Sequence, residues 1–166
     1  MPARVGDLEV AQDLRVERQQ WRIERAARVL LLLLVAAALI GLFGPGPISW
    51  ATESSGALTV TFDRFVRRGG TTSVGVKVAA EGAAQGRFVV RVTRRYLENF
   101  ALESITPRPE SVRVDGHWIA YTFETDDPTG GLLASFALTP KGLWAADGRV
   151  ALPGGDTVTP AHFIYP

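Results

Sequence analysis

The chain has 166 residues, 46% of them hydrophobic, and carries 18 Lys+Arg against 17 Asp+Glu for a formal net charge of +1. That length holds one ordinary domain plus an anchor or tail, and the balanced charge excludes both a strongly basic nucleic-acid binder and an acidic disordered tail. With no cysteine, disulfides, thiol catalysis, iron–sulfur clusters and cysteine-ligated zinc are excluded; two histidines and one methionine argue against a His-rich metal or haem site, so no cofactor is expected.

Residues 1–25 are mixed in charge and read as a partly helical cytoplasmic lead-in. Asp7 can cap a helix, Leu8, Ala11 and Leu14 recur at three-residue steps, and Glu24 and Arg28 form a favourable i,i+4 pair. From Val29 to Thr52 no residue is charged, and Val29 to Phe43 is apolar throughout apart from Gly41. Counting Ala26 and Ala27, with Arg28 snorkelling, residues 26–43 predict a helix about 27 Å long, close to the ~30 Å hydrocarbon core of a bilayer. Gly44-Pro45-Gly46-Pro47 ends it, because proline lacks the N–H and clashes with the preceding turn. Trp21 and Trp50 flank the run where interfacial aromatics lie. Ala37 and Gly41 form a small-xxx-small pair suited to close helix packing.

Arg15, Arg18, Arg22, Arg25 and Arg28 precede the apolar run, and the next basic residue is Arg64. The positive-inside rule therefore predicts a single-pass protein of a bacterial cytoplasmic membrane, N-terminus cytoplasmic and C-terminal part extracytoplasmic. A signal peptide cleaved after Ala51 is the alternative; the long acidic-containing stretch before the run argues against it.

After a Gly/Pro then Thr/Ser/Gly linker at 44–56, the hydrophobic period changes to two. Leu58, Val60 and Phe62, then Val74, Val76 and Val78, Phe88, Val90 and Val92, and Ile119, Tyr121 and Phe123 alternate with mostly polar neighbours, the pattern of half-buried strands. Val76, Val90, Tyr121 and Phe123 are the expected core markers. Strands are predicted at roughly 57–67, 72–80, 86–93, 111–114, 117–125, 132–139, 143–146, 149–152 and 157–165, with one helical turn near Arg95–Ala101. Gly69-Gly70, Asp115-Gly116, Pro140-Lys141-Gly142 and Asp147-Gly148 read as turns, the two Asp-Gly pairs as type I′ hairpins. Short strands at this spacing over 57–166 predict an all-β fold, an immunoglobulin-like antiparallel β-sandwich preceded by a single transmembrane helix.

The apolar segment, the stretch Tyr96-Leu97-Glu98-Asn99-Phe100 leading into Ile105-Thr106-Pro107-Arg108-Pro109, and the ending Phe163-Ile164-Tyr165-Pro166 resemble uncharacterised small bacterial single-pass membrane proteins with an extracytoplasmic β domain. The resemblance spans residues 26–166 and implies no known activity.

Catalytic signatures are sparse. His117 and His162 lie 45 residues apart, outside any HxH or HExxH pattern, and read as surface or edge-strand histidines. Glu124, Asp126 and Asp127 form an acidic cluster at a strand end; a hydrolase or calcium loop would need further carboxylates supplied by the fold, and a solvated turn is the simpler reading. Ser54, Ser55 and Ser111 lack a GxSxG elbow, and the glycine pairs lack a phosphate-loop pattern. The stronger surface feature is arginine: Arg64, Arg67, Arg68, Arg87, Arg91, Arg94 and Arg95 fall within 32 residues, although residues 53–166 balance 12 basic against 12 acidic side chains. This patch is the candidate partner-binding surface, suited to an acidic protein, lipid phosphates or an acidic polymer. The expected function is thus a non-enzymatic accessory or assembly subunit that binds another membrane or envelope protein. An envelope hydrolase using Glu124, Asp126 and Asp127, or a lipid- or polymer-binding module, is the alternative. Neither nucleic acid nor a small-molecule substrate is implied.

Overall fold

The computed structural model describes residues 14–39, 49–83, 86–125 and 128–166. The chain divides after Leu39 into two compact units.

The first unit holds the helix α1 (Leu14–Leu39), which begins well before the expected membrane segment and takes in residues 14–25 of the charged lead-in. The anticipated pair forms, with Arg28 bridging Glu24 at 3.2 Å, and the Arg25 guanidinium sits 5.3 Å from the centroid of the Trp21 ring. Among the described residues no helix is long and apolar enough to cross a membrane. Arg22, Glu24, Arg25 and Arg28 interrupt α1 up to its fifteenth residue, and from Ala26 to Leu39 it rises only about 21 Å. Residues 40–43, which were expected to complete the span, lie outside the described residues. So do Gly41 and the Gly/Pro stop, and of Ala37 only the backbone is described.

The second unit is built of strands. In chain order they are β1 (Trp50–Ser55), β2 (Leu58–Asp63), β3 (Phe65–Arg67), β4 (Thr72–Val78) and β5 (Arg87–Thr93), then, after the helical turn α2 (Arg94–Glu98), β6 (Phe100–Thr106), β7 (Ser111–Asp115) and β8 (Trp118–Glu124). They continue with β9 (Leu132–Pro140), β10 (Trp144–Asp147), β11 (Val150–Ala151), β12 (Thr157–Val158) and β13 (Ala161–Tyr165). Two antiparallel five-stranded sheets run β1-β2-β4-β9-β6 and β12-β11-β5-β8-β7, and a three-stranded sheet runs β10-β13-β3. In the last, β13 and β3 are parallel, the one departure from antiparallel pairing among the described strands.

The alternation read from the sequence describes the core. Val76 and Val90 are fully buried, Phe123 is 1% and Tyr121 3% exposed. They join one cluster fed by both large sheets, with Leu58, Val60, Leu138 and Phe136 from the first and Phe88, Val92 and Val150 from the second. The rings of Tyr121 and Phe136 meet edge to face across the two sheets at 5.2 Å. The architecture is thus all-β with facing antiparallel sheets, as a β-sandwich requires.

Four local readings are corrected. Residues 50–55, expected as linker, form the edge strand β1; its polar sequence buries only Ala51, so no period of two is visible. The strand β6 lies where no strand was expected, and its first two residues were read as part of the helical turn: a register shift between Leu102 and Ser104 breaks the alternation from which strands are recognised. The Asp115-Gly116 hairpin forms, but Asp115 pairs with Trp118, so the turn residues are Gly116 and His117. Positive φ at Gly116 alone fits a type II′ turn rather than I′. Asp147-Gly148 is no hairpin, because β10 before it pairs with β13 while β11 after it pairs with β5 and β12.

One glycine fixes the domain's first hairpin. Gly56, at φ +54, turns β1 into β2, and a Cβ there would fall 2.2 Å from the Asp156 carboxylate, which accepts the Ala57 backbone N–H at 2.9 Å.

Phe123 is the sharpest test of the register. Truncation to alanine should cost about 3–5 kcal/mol in a urea titration, as for other buried aromatics, whereas a one-residue slip would place this side chain in water and reduce the loss below about 1 kcal/mol.

Candidate binding cleft and its buried support

The alternation of β13 alone gives no reason to bury a polar ring, yet His162 is 2% exposed. It is not the surface or edge-strand histidine expected. Its Nδ1–H donates to the Asp63 carbonyl at 2.5 Å, and its Nε2 accepts the Tyr96 hydroxyl at 2.6 Å. That pairing uses both ring nitrogens of the neutral tautomer. The rings of Phe62, Tyr96 and Phe100 enclose the imidazole at centroid distances of 5.4, 5.7 and 5.3 Å. Burial among these rings lowers the His162 pKa, against the smaller opposing pull of Asp63. Burial also raises the Tyr96 hydroxyl above its ordinary range. Burial thus disfavours the charged form of both groups, and the pair serves to position the rings.

Tyr96 passes this rigidity to the surface. A Cβ on Gly148 would lie 2.2 Å from the Tyr96 side chain, so only glycine lets the loop after β10 close over that ring. The same loop is zipped to the end of β5: the Thr93 N–H donates to the Arg149 carbonyl at 3.0 Å, and the Arg149 N–H to the Thr93 hydroxyl at 3.0 Å. The Arg94 N–H donates to the His117 carbonyl at 2.8 Å, which brings in the β7–β8 turn. Between these three segments lies an open cleft of about 970 Å³, lined among others by Arg94, Arg95, His117, Trp118, Arg149 and Asp147.

The charge lining it is uneven. Arg94 is bridged to Glu98 at 3.2 Å, while Arg95 and Arg149 form no ion pair among the described residues and are exposed. Two free guanidiniums beside an indole and an exposed imidazole make a site for a carboxylate or another oxyanion.

The arginines that cluster in sequence separate in the fold. Arg94 and Arg95 line the cleft. Arg87 and Arg91 occupy alternate, non-core positions of β5, opposite Glu124 and Ala120 of β8, and Arg87 bridges Glu110 at 3.5 Å. Arg64, Arg67 and Arg68 belong to the segment of β3, in the three-stranded sheet. Sequence reasoning missed Arg149 and Trp118 as cleft residues, because the contact joining residue 149 to residue 93 is tertiary. Of the acidic cluster, Glu124 is exposed at the end of β8, while Asp126 and Asp127 lie outside the described residues. Among the described residues no group of three or more His, Asp or Glu is placed to hold a metal ion.

No family model and no curated protein matches the chain. Among solved structures, it is similar to a cohesin module from the Clostridium perfringens ATCC13124 family 33 glycoside hydrolase. The identity is 15% and the TM-score 0.41, over 69% of this chain and 98% of that one.

Because burial holds the folded His162 pKa below its ordinary value of 6.5, the unfolded chain takes up this proton first as pH falls. The contribution to stability should be complete above about pH 6.5 and decline below it. Unfolding titrations of wild type and His162→Gln at a series of pH values should show a shallower acid loss in the variant. Tyr96→Phe, which leaves Nε2 without its donor, should cost about 1–3 kcal/mol.

Proposed function

We propose that the chain is a non-enzymatic, membrane-anchored accessory subunit whose immunoglobulin-like β-sandwich, on the extracytoplasmic side, binds an acidic segment of another membrane or envelope protein. The cleft between α2, the β7–β8 turn and the loop after β10 carries this reading. It is concave, its frame is fixed by backbone hydrogen bonds, and Arg95 and Arg149 have no acidic partner among the described residues. Trp118 and His117 add a flat, partly apolar wall against which a peptide can lie. Arg91, further back on β5, adds positive charge for the rest of a longer partner.

The anchor rests on α1 and on the apolar sequence that follows it. Val29 to Val35 is apolar on every side of the helix, and these residues are 48–67% exposed. A helix apolar all round needs an apolar medium or a cover. With the arginines that precede it, this stretch favours a cytoplasmic N-terminus in a bacterial cytoplasmic membrane.

Two measurements test the proposal. Phosphatase fused after Pro166 should be active, and a green fluorescent fusion at the same point dark; the reverse pattern would reject the orientation. Full-length protein purified in mild detergent should retain a partner through the cleft. The Arg95→Ser/Arg149→Ser variant should fold with stability within about 0.5 kcal/mol per substitution, yet lose that partner, and the wild-type complex should weaken steeply with salt. Retention of the partner by the variant would reject the cleft.

A further inference from the structure

We infer that the outer face of the three-stranded sheet β10-β13-β3 docks on an anionic bilayer surface, its aromatic row entering the headgroup layer while flanking arginines meet lipid phosphates. The inference rests on the anchored reading only in that the tether delivers this face to the membrane.

The inner side of this sheet belongs to the core, through Ala146, His162, Ile164 and Val66. On the outer side the register aligns Ala145, Phe163 and Phe65 across the three strands. Phe163 and Phe65 meet edge-on at 6.4 Å, and the Trp144 ring joins Phe163 at 6.1 Å. Trp144 is 64% and Phe163 43% exposed, and Leu143 beside them is 39% exposed. Trp144 moreover has φ 75, a backbone conformation that residues bearing a Cβ rarely adopt, at a position where its ring gains little burial within the domain. A row of large rings turned to water along one sheet face marks a contact surface.

Charge and connection indicate what covers it. Arg64, Arg67 and Arg68 border the row, all exposed and none in an ion pair among the described residues. The Phe163 N–H donates to the Arg64 carbonyl at 2.6 Å, and the Arg64 N–H to the Ser49 carbonyl at 2.6 Å. One run of backbone bonds thus holds together the aromatic row, the basic segment and Ser49, where the described domain begins. Trp50, 66% exposed, follows immediately. Only residues 40–48 connect Ser49 to the end of α1, and a fully extended link of that length reaches about 30–35 Å. An indole and two phenyl rings beside guanidiniums suit a headgroup layer, where indoles settle and arginines are drawn to anionic lipid. A second copy of this face would set three more arginines against the first three, with Asp147 as the one exposed carboxylate on its strands.

The absence of cysteine makes a single introduced thiol a unique label. Full-length Ala145→Cys, within the row, and Lys77→Cys, exposed on β4, would each carry an environment-sensitive fluorophore in nanodiscs holding one chain. The discs would contain phosphatidylcholine alone or with phosphatidylglycerol. With the anionic lipid, the label at 145 should shift to the blue and brighten several-fold, while that at 77 stays aqueous. Salt, or Arg64→Ser/Arg67→Ser/Arg68→Ser, should remove the shift. A label at 145 that stays aqueous in both lipids overturns the inference. So does a shift indifferent to lipid charge and to the arginines, or one that appears only when two chains share a disc. Extraction by alkaline carbonate reports the anchor separately: a released chain rejects the anchor, and its label at 145 still tests the face on added anionic vesicles.

Discussion

A single buried polar connection orders this domain: Tyr96 to His162 to the Asp63 carbonyl. Tyr96 lies in α2, directly after β5 of one large sheet; Asp63 ends β2 of the other; His162 sits in β13 of the small sheet. Three sheets are therefore tied at one imidazole. In an apolar enclosure an unmade bond to that ring would cost far more than the bond gains in water, so the arrangement is specific as well as stabilising. Phe62 and Phe100 close the enclosure, and burial among these rings disfavours the charged imidazole.

The surface inherits its shape from this connection. Tyr96 offers its ring to Gly148, which allows the loop after β10 to pack close enough for Arg149 and Thr93 to exchange hydrogen bonds. The cleft is the space left beside that contact. Arg95 and Arg149, far apart in sequence, line one cavity because both flank the same buried tyrosine.

The outer surfaces divide the remaining work. Core alternation uses one side of each strand, and the other side is free to carry charge on β5 or rings on β13. The three-stranded sheet departs most from an ordinary solvated face. It is short, contains the parallel pair, and presents Phe65, Phe163 and Trp144 where polar side chains are the common choice. Backbone hydrogen bonds join this apolar surface, through Arg64, to Ser49, where the described part of the domain begins.

What the sequence determined by itself is local and periodic. The period of two in β2, β4, β5 and β8 predicted both the strands and their buried side, because alternation on a pleated strand needs no knowledge of the partner. Gly116 signalled its turn, and Glu24 and Arg28 their pair, by spacing alone. Only tertiary structure decided the rest. β1 is too polar and β6 too irregular to announce themselves, and each is a strand because a neighbour supplies its hydrogen bonds. The seven clustered arginines fall on separate surfaces because strands adjacent in sequence join different sheets. His162 looked like an exposed residue until two distant segments provided its partners, residues 63 and 96. Hydrogen-bond partners and enclosed volumes are properties of the assembled sheets, and no spacing along the chain encodes them.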